Sequence, residues 1–200
     1  MITRSRLLVR EHIAALRDPL ATLLEEDERI DCWAAELVQA FQHGGRLLAA
    51  GNGGSAAQAQ HLSGEFVGRY REDRPAFSVI ALHGEGSGLT ALVNDFGIQE
   101  MFSRQVRAHG RPGDIFMALS TSGASGNLIA AAKTARAAGL RTWALTGPSG
   151  NPLAAACDDA LCVPAPTTAA IQEIHLIVIH MLCEAFDAVL AGETWFAPRL

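Results

Sequence analysis

Short apolar segments alternate with amphipathic ones along most of the chain. Five segments of five or six residues are largely apolar instead of alternating with polar residues: RLLAA (46–50), FSVIAL (77–82), IFMALS (115–120), RTWALT (141–146) and DALCV (159–163). This pattern is typical of parallel strands that helices cover on both faces. The alternation therefore predicts an α/β domain built on a parallel sheet.

The segments between these strands have a helical pattern. Helices are predicted from about Ser55, through GLTALVND (88–95), from about Gly126, near Asn151, and from about Thr168 to Leu190. We find no linker, low-complexity segment or repeat array that would divide the chain. One α/β domain is the simplest interpretation.

A helical arm precedes the first strand. Residues 4–26 follow a helical pattern with a break expected near Asp18-Pro19, because proline disfavours helix at the residue before it. A second helical pattern begins at Ile30 and ends at Gly44-Gly45. We therefore divide the chain into N-terminal helices (1–45), the α/β domain (46–192) and a C-terminal tail (193–200). Apolar stripes on the arm indicate burial against other copies of the chain.

Composition narrows the class of protein. The net charge of -5 argues against nucleic acid or an anionic membrane as the main partner. No stretch is apolar enough over sufficient length to cross a bilayer, and the N-terminus lacks the apolar core of a signal peptide. Four cysteines without a CxxC motif indicate reduced, mostly buried thiols in a cytoplasmic protein: Cys32, Cys157, Cys162 and Cys183.

Three strand ends carry loops of small residues: GNGGS (51–55), STSGASG (120–126) and TGPSGN (146–151). Ligands of open parallel sheets bind at the carboxyl ends of strands, so these loops are expected to converge. In the second loop four hydroxyls precede a helix, an arrangement suited to a phosphate monoester: Ser120, Thr121, Ser122 and Ser125. The alternative is an ordinary serine-rich turn with a helix cap. The first loop, GNGGSA (51–56), also fits the GxGxxA pattern of dinucleotide-binding sites, which expects an acid at the end of the next strand to bind a ribose hydroxyl. The nearest acid beyond that strand, Glu85, is too distant, so a dinucleotide site is disfavoured.

Candidate metal ligands lie on two predicted helices. His61 and Glu65 are spaced i, i+4, so both can reach one metal or substrate atom. The apolar C-terminal helix carries Gln172 and, two turns later, His180, whose burial would require polar partners. The four residues form a plausible divalent metal shell that suits zinc, although glutamine is a less usual ligand. Ordinary core residues with satisfied hydrogen bonds remain the alternative, and His175 is interpreted that way.

Five motifs in order make the chain resemble the sugar-isomerase (SIS) superfamily and, within it, the phosphoheptose isomerase family. They are GNGGSAAQAQHLSGEFVGRYRE (51–72), VNDFG (93–97), ALSTSGASGN (118–127), ALTG (144–147) and IQEIHLIVIH (171–180). The resemblance implies a single SIS domain with a five-stranded parallel sheet flanked by helices. It also implies a homotetramer built partly on the N-terminal helices, with active sites at subunit boundaries, and conversion of sedoheptulose 7-phosphate to glycero-manno-heptose 7-phosphate.

The resemblance assigns roles position by position. It implies one zinc ion per subunit held by His61, Glu65, Gln172 and His180. It implies Glu65 and His180 as the acid–base pair, and a phosphate site at Ser120, Thr121, Ser122 and Ser125. Residues that line the sugar would be Asn52, Gly53, Gly54, Ser55, Asn94 and Asp95, together with Glu65 and Gln172.

Alternatives differ in class. Family members commonly carry a charged or polar pair where this chain has Ala169 and Ala170, which leaves the exact phosphosugar open. A non-catalytic SIS adaptor that binds the replication initiator would lack the equivalents of Glu65 and His180, and both are present. A SIS sensor domain of a regulator would normally carry a DNA-binding appendage. An isomerase of secondary-metabolite heptose assembly would share all the chemistry.

Overall fold

Five parallel strands form one sheet, as the sequence pattern predicted. A computed structural model describes residues 4–192. The strands are β1 (Leu47–Gly51), β2 (Val79–Ala81), β3 (Ile115–Ser120), β4 (Arg141–Thr146) and β5 (Asp159–Cys162). Their order in the sheet is β2-β1-β3-β4-β5, and every neighbouring pair is parallel. The α/β fold class is confirmed, although β2 is shorter than the apolar run at 77–82.

In the described part of the chain, eight α-helices surround or precede the sheet. They are α1 (Arg4–Thr22), α2 (Asp27–Gln42), α3 (Gly54–Val67), α4 (Gly86–Phe96), α5 (Glu100–His109), α6 (Gly126–Ala137), α7 (Pro152–Ala156) and α8 (Thr168–Leu190). A 3₁₀ turn, Leu23–Glu25, joins α1 to α2. Helix α5 was not predicted, because its few apolar residues are separated by polar and charged ones within EMFSRQVRAH.

The predicted break at Asp18-Pro19 was wrong. Helix α1 continues through Pro19 and ends at Thr22, whose Oγ1 donates to the Pro19 carbonyl at 2.8 Å. A proline removes only its own N–H from the helix ladder, and here the helix ends three residues later. Pro19 is also buried, so its contacts help to offset that loss.

The sheet separates two apolar cores. Alternate β1 residues face opposite sides: Leu47 and Ala49 join the core beneath α2, α3 and α8, and Leu48 and Ala50 join the core beneath α5 and α6. The first core contains stacked indoles of Trp33 and Trp143, with ring centroids 4.8 Å apart. Burial on both faces explains why the strand sequences are apolar rather than alternating.

Two further expectations concern the surface and the thiols. No helix within residues 4–192 has both the length and the apolar character that a membrane crossing requires. Cys157 and Cys183 are buried, whereas Cys32 is exposed and Cys162 is partly exposed, so only half of the thiols are interior. Burial raises the pKa of the Cys157 thiol to about 12. The predicted tail, 193–200, lies outside the described residues.

Candidate active site

Two of the small-residue loops flank the point where the strand order reverses. β1 lies between β2 and β3, so the chain leaves β1 toward one edge of the sheet and returns to build β3 on its other side. The loop after β1 contains Asn52 and Gly53, and the loop after β3 is residues 121–125. Such switch points are where open parallel sheets bind ligands, because adjacent connections diverge there and leave a crevice.

A reciprocal amide pair joins these two loops. The side chains of Asn52 and Asn127 exchange hydrogen bonds, each Nδ2 donating to the other Oδ1 at 3.0 Å. Asn127 is buried at the start of α6 and also accepts the Leu128 backbone N–H. The sequence analysis missed Asn127, since one asparagine behind a glycine-serine loop has no distinctive spacing.

The serine-rich loop gathers three hydroxyls above the N-terminus of α6. Ser120 Oγ lies 3.2 Å from Ser125 Oγ and 3.5 Å from Ser122 Oγ, and it accepts the Gly123 N–H. Ser125 precedes α6 but makes no side-chain capping bond, so its hydroxyl is available to a ligand. The Thr121 hydroxyl makes no hydrogen bond within the described part of the chain. Hydroxyls at a helix N-terminus form a site suited to an anion.

The third loop supports the second rather than adding ligand groups. Asn151 caps α7 by accepting the Ala154 N–H at 2.9 Å, and it donates to Thr146 Oγ1 at 2.9 Å. Its side chain packs on Gly123, where a Cβ would lie 2.1 Å from Asn151 Cγ. Gly123 also has a φ of +60°, so both the available space and the backbone conformation require glycine at this position of the serine-rich loop.

Three of the four candidate ligands meet between α3 and α8. His61 Nε2 lies 2.9 Å from His180 Nε2 and 3.2 Å from Glu65 Oε1. One ligating atom from each residue lies within 4.8 Å of the others. The ring of Tyr70, another residue that sequence analysis missed, lies 5.5 Å from the His180 ring. We call His61, Glu65 and His180 the His-Glu-His cluster.

The donor set of this cluster fits a zinc ion. Two imidazole nitrogens and a carboxylate oxygen are ligands that zinc takes in catalytic sites. Donor atoms around a tetrahedral zinc lie roughly 3.3 Å apart, given Zn–N distances of about 2.0–2.1 Å. The separations of 2.9 and 3.2 Å are close to that value. His61 is also partly exposed, with 40% of its side chain accessible, so the cluster is reachable from outside.

Gln172 is placed differently from the other three. Its carboxamide packs on Gly54 at the start of α3, where an added Cβ would lie 2.5 Å from Gln172 Nε2. Its backbone carbonyl accepts a hydrogen bond from Gln58 Nε2. The Gln172 side chain therefore packs against the glycine loop in this structure and does not join the His-Glu-His cluster.

The other sugar-lining candidates divide into two groups. Asn52, Gly53 and Gly54 are exposed at the glycine loop, whereas Ser55 is buried beneath it. Asn94 and Asp95 are exposed on α4, where they hydrogen bond to each other at 2.8 Å. Within the described residues no hydrogen bond or ion pair joins this pair to the loops or to the cluster. Glu85, the acid considered for a dinucleotide site, caps α4 by accepting the Ser87 N–H at 3.1 Å.

His175 fits its interpretation as a core residue. It is fully buried on α8, and its Nε2 lies 3.0 Å from the Thr146 carbonyl oxygen. Burial lowers the pKa of His175 to about 4, so the ring is neutral at neutral pH. A neutral ring donates to the carbonyl without requiring a counter-ion.

Comparison with known proteins shows similarity to the SIS domain family and to phosphoheptose isomerases. Residues 11–147 match the SIS domain family. The phosphoheptose isomerase of Streptomyces coelicolor is 65% identical over 158 residues, which are 79% of this chain and 68% of that protein. Two solved phosphoheptose isomerases have the same fold. The Francisella tularensis structure has a TM-score of 0.86 at 30% identity, covering 92% of this chain and 99% of that one. The Neisseria gonorrhoeae structure has a TM-score of 0.82 at 39% identity, covering 92% and 97%.

Proposed function

The chain belongs to the SIS-domain family of phosphoheptose isomerases, and from this premise we propose its substrate. The proposed reaction converts D-sedoheptulose 7-phosphate to D-glycero-D-manno-heptose 7-phosphate, an aldose–ketose isomerisation for heptose biosynthesis. The observation that carries the proposal is the His-Glu-His cluster between α3 and α8, since α3 begins at the glycine loop of the switch point. A proton-transferring group and an anion-binding loop are the two parts that this reaction needs.

The serine-rich loop is the proposed phosphate site. The hydroxyls of Ser120, Thr121, Ser122 and Ser125 would bind phosphate oxygens, together with amide groups at the start of α6. Hydrogen bonds to a charged group are each worth roughly 1.5–3 kcal/mol, enough to anchor the sugar at its phosphate end. The remaining sugar hydroxyls would meet the glycine loop at Asn52, Gly53, Gly54 and Ser55. Asn94 and Asp95 would join them only through a movement of α4 or from a neighbouring subunit.

The cluster would hold one zinc ion per subunit. His61, Glu65 and His180 supply three ligands in the proposal, and Gln172 would become the fourth by turning away from Gly54. When bound, the ion would polarise the sugar carbonyl and stabilise the negative charge of the enediolate by several kcal/mol.

The proton transfers fall to Glu65 and His180. The Glu65 carboxylate removes a proton from C1 of the ketose. The electron pair of that C–H bond forms the C1–C2 double bond, and the π pair of the C2 carbonyl moves onto its oxygen to give an enediolate. His180 moves a proton between the oxygens on C1 and C2. Glu65 then returns its proton to C2, which leaves the carbonyl at C1 and restores both side chains. Glu65 would thus serve both as a ligand and as the base, although a carboxylate bound to zinc is a poorer base.

Assembly is a further part of the proposal. Helix α1 exposes four apolar side chains to more than half of their full area: Leu7, Leu8, Val9 and Ile13. Burial of such a surface against other copies supports a homotetramer built on residues 1–45. Light scattering at micromolar concentration should give a tetrameric mass, and a monomer would contradict it. We place the protein in the cytoplasm, in keeping with the reduced thiols.

Two alternatives to the proposed function are a non-catalytic adaptor, which is not favoured, and an isomerase that acts on another phosphosugar. A non-catalytic adaptor has no need of the cluster, and the relatives identified above are named isomerases. Another phosphosugar would share the chemistry, and Ala169 and Ala170 are the positions that bear on that choice. Incubation of the pure protein with sedoheptulose 7-phosphate, followed by NMR, tests the proposal. The aldose signal should grow to equilibrium, and its absence at full zinc occupancy would refute the assigned substrate.

A further inference from the structure

Arg74 bonds to the helix that carries Glu65. Its Nη2 donates to the Glu65 carbonyl oxygen at 2.8 Å, and its Nη1 donates to the Phe66 carbonyl oxygen at 3.1 Å. These carbonyls lie in the last turn of α3, where backbone oxygens lack partners within the helix. A cation there also interacts favourably with the helix dipole. The guanidinium therefore fixes the end of α3 at Glu65, a member of the cluster, and at the residue that follows it.

The same side chain reaches α8. Arg74 Nε lies 2.6 Å from Asp187 Oδ1, and Asp187 follows His180 by two helical turns. The guanidinium also packs among aromatic rings. Its Cζ lies 5.3, 5.4 and 5.5 Å from the ring centroids of Phe66, Phe77 and Phe186. Only 6% of the Arg74 side chain is exposed, so these contacts are held with little competition from water.

We propose that Arg74 and Asp187 are a positioning pair that sets the distance between Glu65 and His180. This inference rests on the proposed function, because it concerns the same cluster. The pair connects the two helices whose side chains must converge on one ion and one substrate carbon. A displacement of either helix end would move Glu65 relative to His180 without removing any ligand. Arg74 itself touches no reacting atom.

The chain contains a matched control pair. Arg71 and Glu184 join the same loop to the same helix at 2.6 Å, one turn from Asp187. Their side chains are 63% and 47% exposed, and Arg71 donates to no carbonyl of α3 within the described residues. Exposed pairs contribute little, because water and salt compete with them. Comparison of variants of the two pairs therefore distinguishes a positioning role of Arg74 and Asp187 from a general effect of removing a charge.

The test compares zinc affinity and kinetics in matched variants. Apo forms of Arg74→Ala, Arg74→Lys, Asp187→Asn, Arg71→Lys and Glu184→Gln are titrated with zinc against a competing chelator. Thermal unfolding followed by circular dichroism establishes that each variant is folded. Arg74→Ala should bind zinc roughly 10- to 100-fold more weakly, the usual effect of losing a group that orients a ligand. Its kcat should fall by a similar factor with KM little changed, since the phosphate loop is untouched.

The conservative variant keeps the proposal testable if Arg74→Ala does not fold. Lysine retains the charge opposite Asp187, but its compact ammonium cannot reproduce the contacts that three separate guanidinium nitrogens make with Asp187 and the two α3 carbonyls. Arg74→Lys should therefore show an intermediate loss, Asp187→Asn a similar one, and the control pair none. The proposal is overturned if folded Arg74 variants bind zinc as the wild type does, or if Glu184→Gln weakens zinc as much as Asp187→Asn. A wild type that binds zinc normally but fails to isomerise the sugar would refute the proposed function alone.

Discussion

The two halves of the candidate site differ in the kinds of chemical groups that form them. The helix half, the His-Glu-His cluster between α3 and α8, consists of long side chains, whose supporting helices pack on buried Phe66 and Phe186. The loop half, at the switch point after β1 and β3, consists of glycines, short hydroxyl side chains and backbone amides. The function of the helix half depends on which ionisable side chains are present. The function of the loop half depends on the conformation of the backbone.

The difference separates two kinds of functional effect. Gly51 has no room for a side chain, because a Cβ would lie 2.5 Å from the Ser55 carbonyl carbon, so the loop half depends on close backbone approach. The helix half presents groups that transfer protons and bind metal. Substitutions in the helix half should therefore change kcat and metal content, and substitutions in the loop half should change KM for the phosphorylated sugar.

The largest expected effect is in the helix half, at Glu65. Glu65→Gln keeps the size of the side chain and one ligand oxygen but cannot accept a proton. It should lower kcat by about 10²–10⁴, the usual contribution of a positioned base, with little change in KM. Steady-state kinetics at saturating zinc measures both constants.

His61→Ala is the matched comparison within that half. It should lower the metal content measured by atomic absorption, and added zinc should restore part of the activity if the remaining ligands hold. A kcat for Glu65→Gln close to the wild-type value would contradict the division between the halves. So would a full metal content in His61→Ala.

The next effect concerns stability, at the buried histidine of α8, His175. Burial lowers the pKa of His175 from 6.5 to about 4, so the unfolded chain binds the additional proton below pH 6.5. The free energy of unfolding should therefore be higher above pH 6.5 and decrease by about 3 kcal/mol as the pH falls to 4. His175→Gln, which retains a donor for the Thr146 carbonyl, should lose this part of the pH dependence.

Urea unfolding of chelator-treated protein at a series of pH values makes that measurement. His43→Gln, at an exposed position near the end of α2, is the control, and it should keep the wild-type slope. An unchanged slope in His175→Gln would show that other groups cause the acid sensitivity.

The loop half should respond through substrate affinity. Ser125→Ala removes a hydroxyl that makes no capping bond, so the helix should lose little stability. KM for the phosphorylated sugar should rise by a factor that corresponds to roughly 1.5–3 kcal/mol, and KM for its dephospho analogue should not. Thr134→Ala on the same helix is the control, because its hydroxyl donates to the Ala130 carbonyl and has no other partner among residues 4–192. Equal effects on both sugars would rule out phosphate binding by Ser125.

The smallest effect should come from the amide pair between the loops. Asn127→Ala removes two hydrogen bonds with Asn52 and should lower the free energy of unfolding by about 1–2 kcal/mol. A double-mutant cycle with Asn52→Ala isolates the coupling, measured by urea unfolding. Additive effects would mean that the pair does not connect the loops energetically.

The sequence was most informative where spacing is local. The i, i+4 spacing of His61 and Glu65 placed both on one helix face, and small-residue loops after apolar runs located the ligand end of the sheet. Asn127, Tyr70 and Arg74 carried no such signal, because Asn52, His180 and Asp187, which they contact, are distant in the chain and no periodicity connects them. Pro19 and α5 were misjudged, since a buried proline near a helix end and a weakly apolar helix both depart from average propensity.

Gln172 illustrates a different difficulty. The resemblance to the family and its position on the C-terminal helix put it with the metal ligands, yet its carboxamide packs on Gly54 in the structure. A side-chain rotation is not encoded in residue spacing. Its role as a ligand stays a prediction, and a zinc titration of Gln172→Ala would test it.

The exchange of the substrate C1 hydrogen with D₂O tests the central claim most directly, because it reports enediolate formation even when turnover is slow. NMR would follow that hydrogen in sedoheptulose 7-phosphate with wild type and with Glu65→Gln at equal zinc occupancy. The wild type should exchange it, and Glu65→Gln should bind the sugar but exchange about 10²–10⁴ more slowly. Exchange at the wild-type rate in Glu65→Gln would contradict the account and make His180 the first alternative base.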